Sequence, residues 1–204
     1  PDKNTEYLLY QTLVGAWPIG PDRLISYAEK AVREAKNHTS WTDQDETYEK
    51  SVRDFSQAIL KDRTFCEDIA DFTGRLVAAG RINSLAQTLI KLTAPGIPDI
   101  YQGTELWDLS LVDPDNRRPV YFALRRRLLD ELPSLSPEDI LARSDEGLPK
   151  LWLIRQSLHL RRSRPDLFGS QGGYRPTFAR GGRAGHVVAF MRGESVISVA
   201  PRLV

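Results

Sequence analysis

The sequence has few cysteines and histidines, and it contains no long apolar run. Its 204 residues include one cysteine, Cys66, so no internal disulfide can form. None of the three histidines lies at metal-ligand spacing from Cys66 or from a second histidine, which argues against a metal site. No apolar run approaches the roughly 20 residues that span a bilayer, and the polar residues 1–4 do not resemble a signal peptide. These features predict a cytoplasmic protein in which Cys66 is a small core residue.

The chain also lacks an excess of charge of either sign. It carries 28 basic and 27 acidic residues, a formal charge of +1, and 41% of its residues are hydrophobic. This balance is typical of a globular protein and gives no general attraction to nucleic acid or to an anionic membrane. The arginine runs at 125–127 and 161–164 contain no interleaved aromatic residues and fall on helical patterns, so we predict solvated helix faces or charges at helix C-termini there. The expected partner is an uncharged molecule.

Helical patterns dominate the first part of the chain. Apolar residues recur at steps of three and four, and proline or capping residues stand at several of the expected helix starts. The third helix is expected to be capped by Thr42 or Asp43, and Gly80 is expected to separate the fourth helix from the fifth. The predicted helices are Thr5–Ala16, Pro21 to about Lys36, a segment carrying apolar residues from 48 to 60, Arg63–Ala79, Arg81–Thr93, Val120–Leu132, and about Leu148–Ser163.

Beyond Pro165 the pattern changes from helical to extended. Frequent glycines separate three β-type runs at Tyr174–Ala179, His186–Met191 and Val196–Ala200. The short connections between these runs predict an antiparallel meander that begins a second domain. We therefore expect a division near Phe168.

A short extended segment followed by a polar loop is the most informative feature of the chain. Residues 97–102 contain β-formers bounded by Pro95-Gly96 and by Gly103, which predicts a strand. A strand followed by a polar loop is the order found in an α/β barrel. The loop gathers Glu105, Trp107, Asp108, Asp113, Asp115, Asn116 and Arg117.

These residues also carry a resemblance to a known family. Residues 96–105 resemble the last barrel strand of the α-amylase superfamily, and residues 101–120 more narrowly resemble its maltooligosyl trehalose synthase family. Residues 4–18, 35–41 and 82–89 extend the likeness over nearly the whole chain. The resemblance implies an α+β, mainly helical fold: the C-terminal part of a (β/α)8 barrel. The expected first domain contains residues 1–168, which form the helical part of the barrel, with the last barrel strand at about residues 97–102. The expected second domain contains residues 169–204 and is the start of a small, truncated antiparallel β domain.

The resemblance further implies an isomerase of trehalose biosynthesis, without a cofactor. Such an enzyme converts the reducing-end α-1,4 linkage of a maltooligosaccharide into an α,α-1,1 linkage. In the superfamily the catalytic residues lie on earlier barrel strands: a nucleophile Asp, an acid/base Glu and a second Asp that stabilises the transition state. This second Asp is usually preceded directly by His in the sequence. Because the chain contains no His-Asp dipeptide, we assign it no catalytic residue and expect it to be inactive alone. Its expected partners are a maltooligosaccharide and the rest of its own barrel.

The loop supplies candidate substrate-binding residues. A sugar is held by planar polar groups on its hydroxyls and by an aromatic ring against its apolar side. The candidates are Tyr101, Gln102, Glu105, Trp107, Asp108, Asp115, Asn116 and Arg117.

Several structural alternatives stand beside this assignment. Arg117 could instead pair with Asp113 or Asp115 and fix the loop, and Trp107 could be a packing anchor. A retaining glycosidase needs two carboxylates about 5 Å apart, which Glu105 with Asp108 or Asp113 could supply, although loop acids more often pair with arginine.

The segment 38–41 allows two interpretations as well. His38, Ser40 and Trp41 could contact a sugar, or the segment could be a capped helix junction in which Trp41 fills a hydrophobic staple. Two other classes of function also remain open: a non-enzymatic module that binds glucan or protein, and part of another α-amylase-like hydrolase.

Overall fold

The computed structural model describes residues 1–204 and contains eight α-helices and one three-stranded sheet. The mainly helical α+β class is thereby confirmed. None of the helices combines the length and the apolar character needed to cross a membrane. The elements are α1 Lys3–Ala16, α2 Pro21–Ala35, α3 Glu46–Lys61, α4 Arg63–Thr93, α5 Phe122–Glu131, α6 Pro137–Ala142, α7 Leu148–Ser163, α8 Pro165–Phe168, β1 Tyr174–Thr177, β2 Val187–Arg192 and β3 Val196–Pro201.

The chain folds into two compact units. The first contains residues 1–77 and 109–119, and the second contains residues 78–108 and 120–204, so α4 contributes to both. The sheet belongs to the second unit together with α5 to α8. These units do not coincide with the division of the chain expected near Phe168, which stays a prediction.

The first unit is built around the apolar faces of α1, α2 and α3. Leu9, Leu13, Leu24 and Val52 are fully buried in its core. Asp2 caps α1 by accepting a hydrogen bond from the amide of Asn4 at 2.9 Å. Side chains at three- and four-residue spacing therefore form the helix faces that the sequence predicted.

The cap of α3 differs from the prediction. Asp45 caps the helix, accepting from the amide of Tyr48 at 2.9 Å, so the assignment to Thr42 or Asp43 is wrong. Ser40 instead accepts from the amide of Asp43 at 2.9 Å and closes a turn before the helix. Several residues that can cap a helix follow one another here. Ser40 and Asp43 form the preceding turn, and Asp45 is left to cap the helix.

The predicted break at Gly80 is also wrong, because α4 continues through it for 31 residues. A glycine inside a helix costs about 1 kcal/mol relative to alanine but removes no backbone donor, unlike proline. Nothing lies within 4 Å of the position that a Cβ of Gly80 would occupy, so packing does not require glycine there.

The second unit has its own apolar core between α5, α6 and α7. Leu106, Leu128 and Leu148 are buried there. Ser136 and Asp139 form a capping box at the start of α6, so each satisfies a backbone amide of the other.

The sheet is an antiparallel meander of order β1-β2-β3, as predicted. Its inner face is tied to α8 through Arg192, whose side chain is buried. The guanidinium of Arg192 donates to the carbonyl of Leu167 at 2.8 and 3.2 Å and lies 5.5 Å from the ring centre of Phe168. A buried cation is thus held by a carbonyl and an aromatic face.

Residues 97–102 form neither a strand nor a helix, so the predicted strand is absent from this chain. The three strands of the structure pair only with one another, and the segment has no strand beside it. Ile97 is 98% exposed. A β-strand exists through hydrogen bonds to a neighbouring strand, so β-forming residues alone do not produce one.

Candidate functional site

The candidate residues of the loop are divided between the two units. Residues 101–108 belong to the second unit, whereas residues 109–119 belong to the first. Each group has its own set of supporting contacts.

Arg125 fixes the turn at the start of the loop in the second unit. Its guanidinium donates to Glu105 Oε2 at 3.1 Å and to the carbonyl of Gly103 at 2.7 Å. Thr104 closes the same turn by donating its amide to the carbonyl of Tyr101 at 3.0 Å. Arg125 is therefore not part of a solvated face, contrary to the expectation for residues 125–127. Glu105 pairs with arginine, the usual arrangement of a loop carboxylate.

Trp107 is held on several sides. Its indole Nε1 donates to the carbonyl of Ser144 at 2.6 Å. The guanidinium of Arg81 lies 5.7 Å from the ring centre, and the ammonium of Lys150 lies 6.0 Å from it. These contacts support the interpretation of Trp107 as a packing anchor.

Lys150 links α7 to the loop beside Trp107. Its ammonium donates to the carbonyl of Leu106 at 3.2 Å. Burial and the neighbouring charge of Lys91 lower the pKa of Lys150, while Asp108 and Glu105 act in the opposite direction. The partly buried ammonium of Lys150 therefore contacts the backbone of the loop.

The remaining candidates of the second unit face solvent. Tyr101, Gln102 and Asp108 are exposed. Tyr101 and Gln102 belong to the turn that Arg125 fixes, and Asp108 follows it. They present a phenol, an amide and a carboxylate, the groups that bind sugar hydroxyls.

In the first unit, Asp115 is the fixed point of the loop. Its carboxylate accepts two hydrogen bonds from Arg23, from Nε at 2.9 Å and from Nη2 at 2.8 Å. It also accepts from the amide of Leu111 at 2.7 Å and lies 3.2 Å from Nε of Arg118. The side chain is 8% exposed, and the bond from Arg23 lowers the pKa of Asp115 below its usual value.

Arg117 pairs with Asp113, one of the two partners considered from the sequence. The side chain of Arg117 is 69% exposed and that of Asp113 is 46% exposed. Between them in the chain, the amide oxygen of Asn116 is buried without a hydrogen-bond partner. The turn therefore carries the Asp113–Arg117 pair on its solvent side, while the buried carboxylate of Asp115 holds the turn in place through Arg23.

No feature of the sequence pointed to Arg23. It precedes Asp115 by 92 residues and lies in the first turn of α2. Neither local spacing nor helical periodicity indicates a contact over such a distance, so only the folded structure identifies it.

Segment 38–41 is a helix junction, as its structural interpretation proposed, but its contacts differ. Thr39 is buried and donates to Glu49 Oε1 at 2.7 Å. Trp41 is 53% exposed and stacks on the guanidinium of Arg33 at 5.0 Å, so it fills no hydrophobic staple. His38 Nε2 lies 3.6 Å from a carboxylate oxygen of Asp2.

No cluster of His, Cys, Asp and Glu side chains is arranged to hold a metal ion. Cys66 is half-buried, and its sulfur lies 3.4 Å from the carbonyl of Leu60.

Comparison with known proteins shows what the chain is similar to. No family model matches the chain. A protein named as a candidate maltooligosyl trehalose synthase from Mycobacterium tuberculosis is 39% identical over 209 residues, which cover 99% of this chain and 25% of that protein. The solved maltooligosyltrehalose synthase of Arthrobacter ramosus is 44% identical, with a TM-score of 0.85, over 97% of this chain and 25% of its own.

A more distant solved structure gives the same result. A hypothetical maltooligosyl trehalose synthase from Sulfolobus tokodaii is 34% identical, with a TM-score of 0.83, over 98% of this chain and 27% of its own. The chain is therefore similar to one part of these much longer synthases and spans about a quarter of their length. It is homologous to the C-terminal part of maltooligosyl trehalose synthases.

Proposed function

We propose that the chain is part of an enzyme that converts the reducing-end α-1,4 linkage of a maltooligosaccharide into an α,α-1,1 linkage. The observation that carries this proposal is the similarity along 99% of the chain to a quarter of a synthase relative. An exchange of linkage that retains the α configuration requires a nucleophilic carboxylate and an acid/base carboxylate about 5 Å apart.

We infer that these carboxylates lie outside this chain. Three acidic side chains of the loop are paired with arginine: Glu105 with Arg125, Asp115 with Arg23, and Asp113 with Arg117. A carboxylate whose oxygens accept charge-assisted hydrogen bonds is a weaker nucleophile and base than a free one, because those bonds stabilise its negative charge. The pairing supports a structural rather than a chemical role for the loop acids.

The proposed role of this segment is to complete the substrate cleft. Residues 97–102 would form the last barrel strand beside strands of the longer protein, and a β domain would begin at 169. Tyr101, Gln102 and Asp108 present exposed polar groups, whereas Glu105 and Trp107 keep the loop in place. In the other part of the loop, Asn116 and Arg117 would contact sugar hydroxyls while Asp115 fixes their turn.

The proposal can be tested with maltopentaose. Incubated with the isolated 204-residue chain it should stay unchanged, because the chain lacks the pair of carboxylates needed for double displacement. The full-length protein containing this chain should give a trehalose-ended product. Chromatography of the products measures both results.

Two outcomes would contradict the assignment. Formation of the trehalose-ended product or of glucose by the isolated chain, abolished by Glu105→Gln, would place catalysis in the loop. A full-length protein that folds but leaves maltopentaose unchanged would remove the isomerase assignment itself.

The substrate-binding role of the turn can be tested separately. In the full-length protein, Arg117→Ala should lower kcat/KM by an amount equivalent to about 1–3 kcal/mol, the usual result of removing a polar group that bonds substrate. The melting temperature should change little, because exposed ion pairs contribute about 0–1 kcal/mol. Arg126→Ala, at an exposed position on α5, is the matched control. A fall in melting temperature with kcat/KM unchanged would show that the Asp113–Arg117 pair is structural.

A further inference from the structure

Arg23 holds the loop of the first unit at two places. Besides its two bonds to the carboxylate of Asp115, its Nη2 donates to the carbonyl of Leu109 at 3.1 Å. The bonded groups are six residues apart in the loop. A planar guanidinium can bind both at once because its donors point in fixed directions, which a lysine ammonium cannot reproduce.

The anchored carboxylate begins the turn that carries Arg117. Residues Asp115–Arg117 form one 3-10 turn, and the amide of Arg117 donates to the carbonyl of Pro114 at 3.0 Å. The side chain of Arg117 then reaches back to Asp113. A displacement of Asp115 would therefore move the backbone from which both members of the exposed pair project.

Arg23 is not needed to fill the core of this unit. The buried residues of α2 are Leu24, Ala28 and Val32, which lie on its apolar face. The side chain of Arg23 is 25% exposed and makes its ion pair with the loop. Its role is thus separable from the packing that folds the helix.

We propose that Arg23 is a positioning residue: its guanidinium fixes residues 109–115 and thereby sets where Arg117 and Asp113 are presented. The catalytic consequence rests on the proposed function, in which this turn contacts the sugar. The local consequence, that the turn loosens without Arg23, stands independently of it.

The local consequence is measured on the isolated chain with trypsin. Cleavage after Arg117 is a sensitive reporter of turn opening, while the bond from Arg118 to Pro119 resists the enzyme. Arg23→Ala should raise the cleavage rate after Arg117 by about tenfold, since cleavage follows the population of the locally opened state. Arg23→Lys should give an intermediate rate. Arg63→Ala, at a side chain that is 91% exposed, should leave it unchanged.

Titration of Asp115 by NMR gives an independent local reading. The pKa of this carboxyl is held below its usual value mainly by its hydrogen bond from Arg23. In Arg23→Ala it should move back toward the usual value, and in Arg63→Ala it should not move.

The catalytic consequence is measured in the full-length protein. A small misplacement of a binding group can cost up to about 100-fold in rate, so Arg23→Ala should lower kcat/KM about 10- to 100-fold, chiefly through kcat. If Arg23 acts through Arg117, adding Arg23→Ala to Arg117→Ala should lower kcat/KM much less than it does in the wild type. Arg23→Lys should restore part of the activity.

The possible failures are distinguishable. An unchanged trypsin rate and an unchanged Asp115 titration in Arg23→Ala would overturn the positioning role. A loosened turn with unchanged kcat/KM would overturn its catalytic consequence, as would full additivity of the two substitutions. If the wild-type full-length protein shows no isomerase activity, the proposed function fails, and the two local measurements still decide whether Arg23 positions the turn.

Discussion

Replacement of Glu49 by alanine is expected to lower the free energy of unfolding by about 2–4 kcal/mol, because it leaves the guanidinium of Arg33, which is 19% exposed, without its charged partner. The carboxylate of Glu49 accepts from Arg33 Nε at 2.8 Å and from Nη2 at 2.7 Å, and it accepts from the hydroxyl of Thr39 at 2.7 Å. Its side chain is 3% exposed, so water cannot replace these bonds. Glu49 joins α3 to α2 and to the junction before α3.

The same interaction makes stability depend on pH. The hydrogen bonds from Arg33 lower the pKa of Glu49 from 4.5 to about 2 in the folded protein. A carboxyl with a lowered folded pKa contributes stability above its unfolded pKa and loses it as the pH falls towards the folded value. Between about pH 4.5 and pH 2, Glu49 should therefore lose a contribution of the order of 3 kcal/mol.

Urea unfolding followed by tryptophan fluorescence measures these effects, because Trp41 lies against Arg33 in the same unit. Glu34→Ala is the control: Glu34 pairs with Lys30 on the surface of α2, and its loss should cost less than about 0.5 kcal/mol. In Glu49→Gln the difference from wild type should shrink as the pH falls from 4.5. A difference that stays constant over this range would show that charge pairing at Glu49 contributes nothing.

Local signals in the sequence predicted most of the helices and all three strands. Periodic apolar residues identified α1, α2, α3, α5 and α7, and glycine-bounded alternating runs identified the sheet. Short-range rules failed where several residues could serve the same purpose, as when Asp45 capped α3 in place of Thr42 or Asp43. They also failed at Gly80, where the helix is continuous although glycine lowers its propensity.

The strand expected at 97–102 shows a different limit. Its residues favour extended backbone, and the segment is not helical, but strand formation depends on a neighbour that this chain does not supply. Residue pattern and family resemblance both led to the expectation of a barrel strand here, and its place in a barrel stays a prediction.

The contacts that fix the candidate site were not predictable from spacing. Arg23 meets Asp115 across 92 residues, and Trp107 meets Ser144 across 37. Such pairs form only when whole helices and loops pack together. Many arginines and carboxylates in the sequence could form an equivalent ion pair, so spacing alone does not select one. The sequence could therefore locate the polar loop but could not tell which of its side chains anchor it.

Gly147→Ala is expected to destabilise the second unit by about 2–4 kcal/mol, from two causes that act together. Gly147 has φ +82° and joins the turn Ser144–Glu146 to α7, and left-handed backbone costs an L-residue about 1–2 kcal/mol. A Cβ at this position would also lie 3.0 Å from Cβ and 3.1 Å from Cα of Leu106, which is closer than side chains normally pack. The clash would push the loop at Leu106 and Trp107.

Gly181→Ala separates the two causes of the Gly147→Ala effect. Gly181 has φ +101°, but nothing lies within 4 Å of its would-be Cβ, so only the backbone cost of about 1–2 kcal/mol should remain. Near-ultraviolet circular dichroism should change in Gly147→Ala alone, because Trp107 bonds the carbonyl of Ser144 beside this turn. If Gly147→Ala and Gly181→Ala lose the same stability and both keep the near-ultraviolet circular dichroism spectrum of the wild type, Leu106 accommodates the added Cβ without an energetic penalty. Gly147 would then not be required to hold the loop in place.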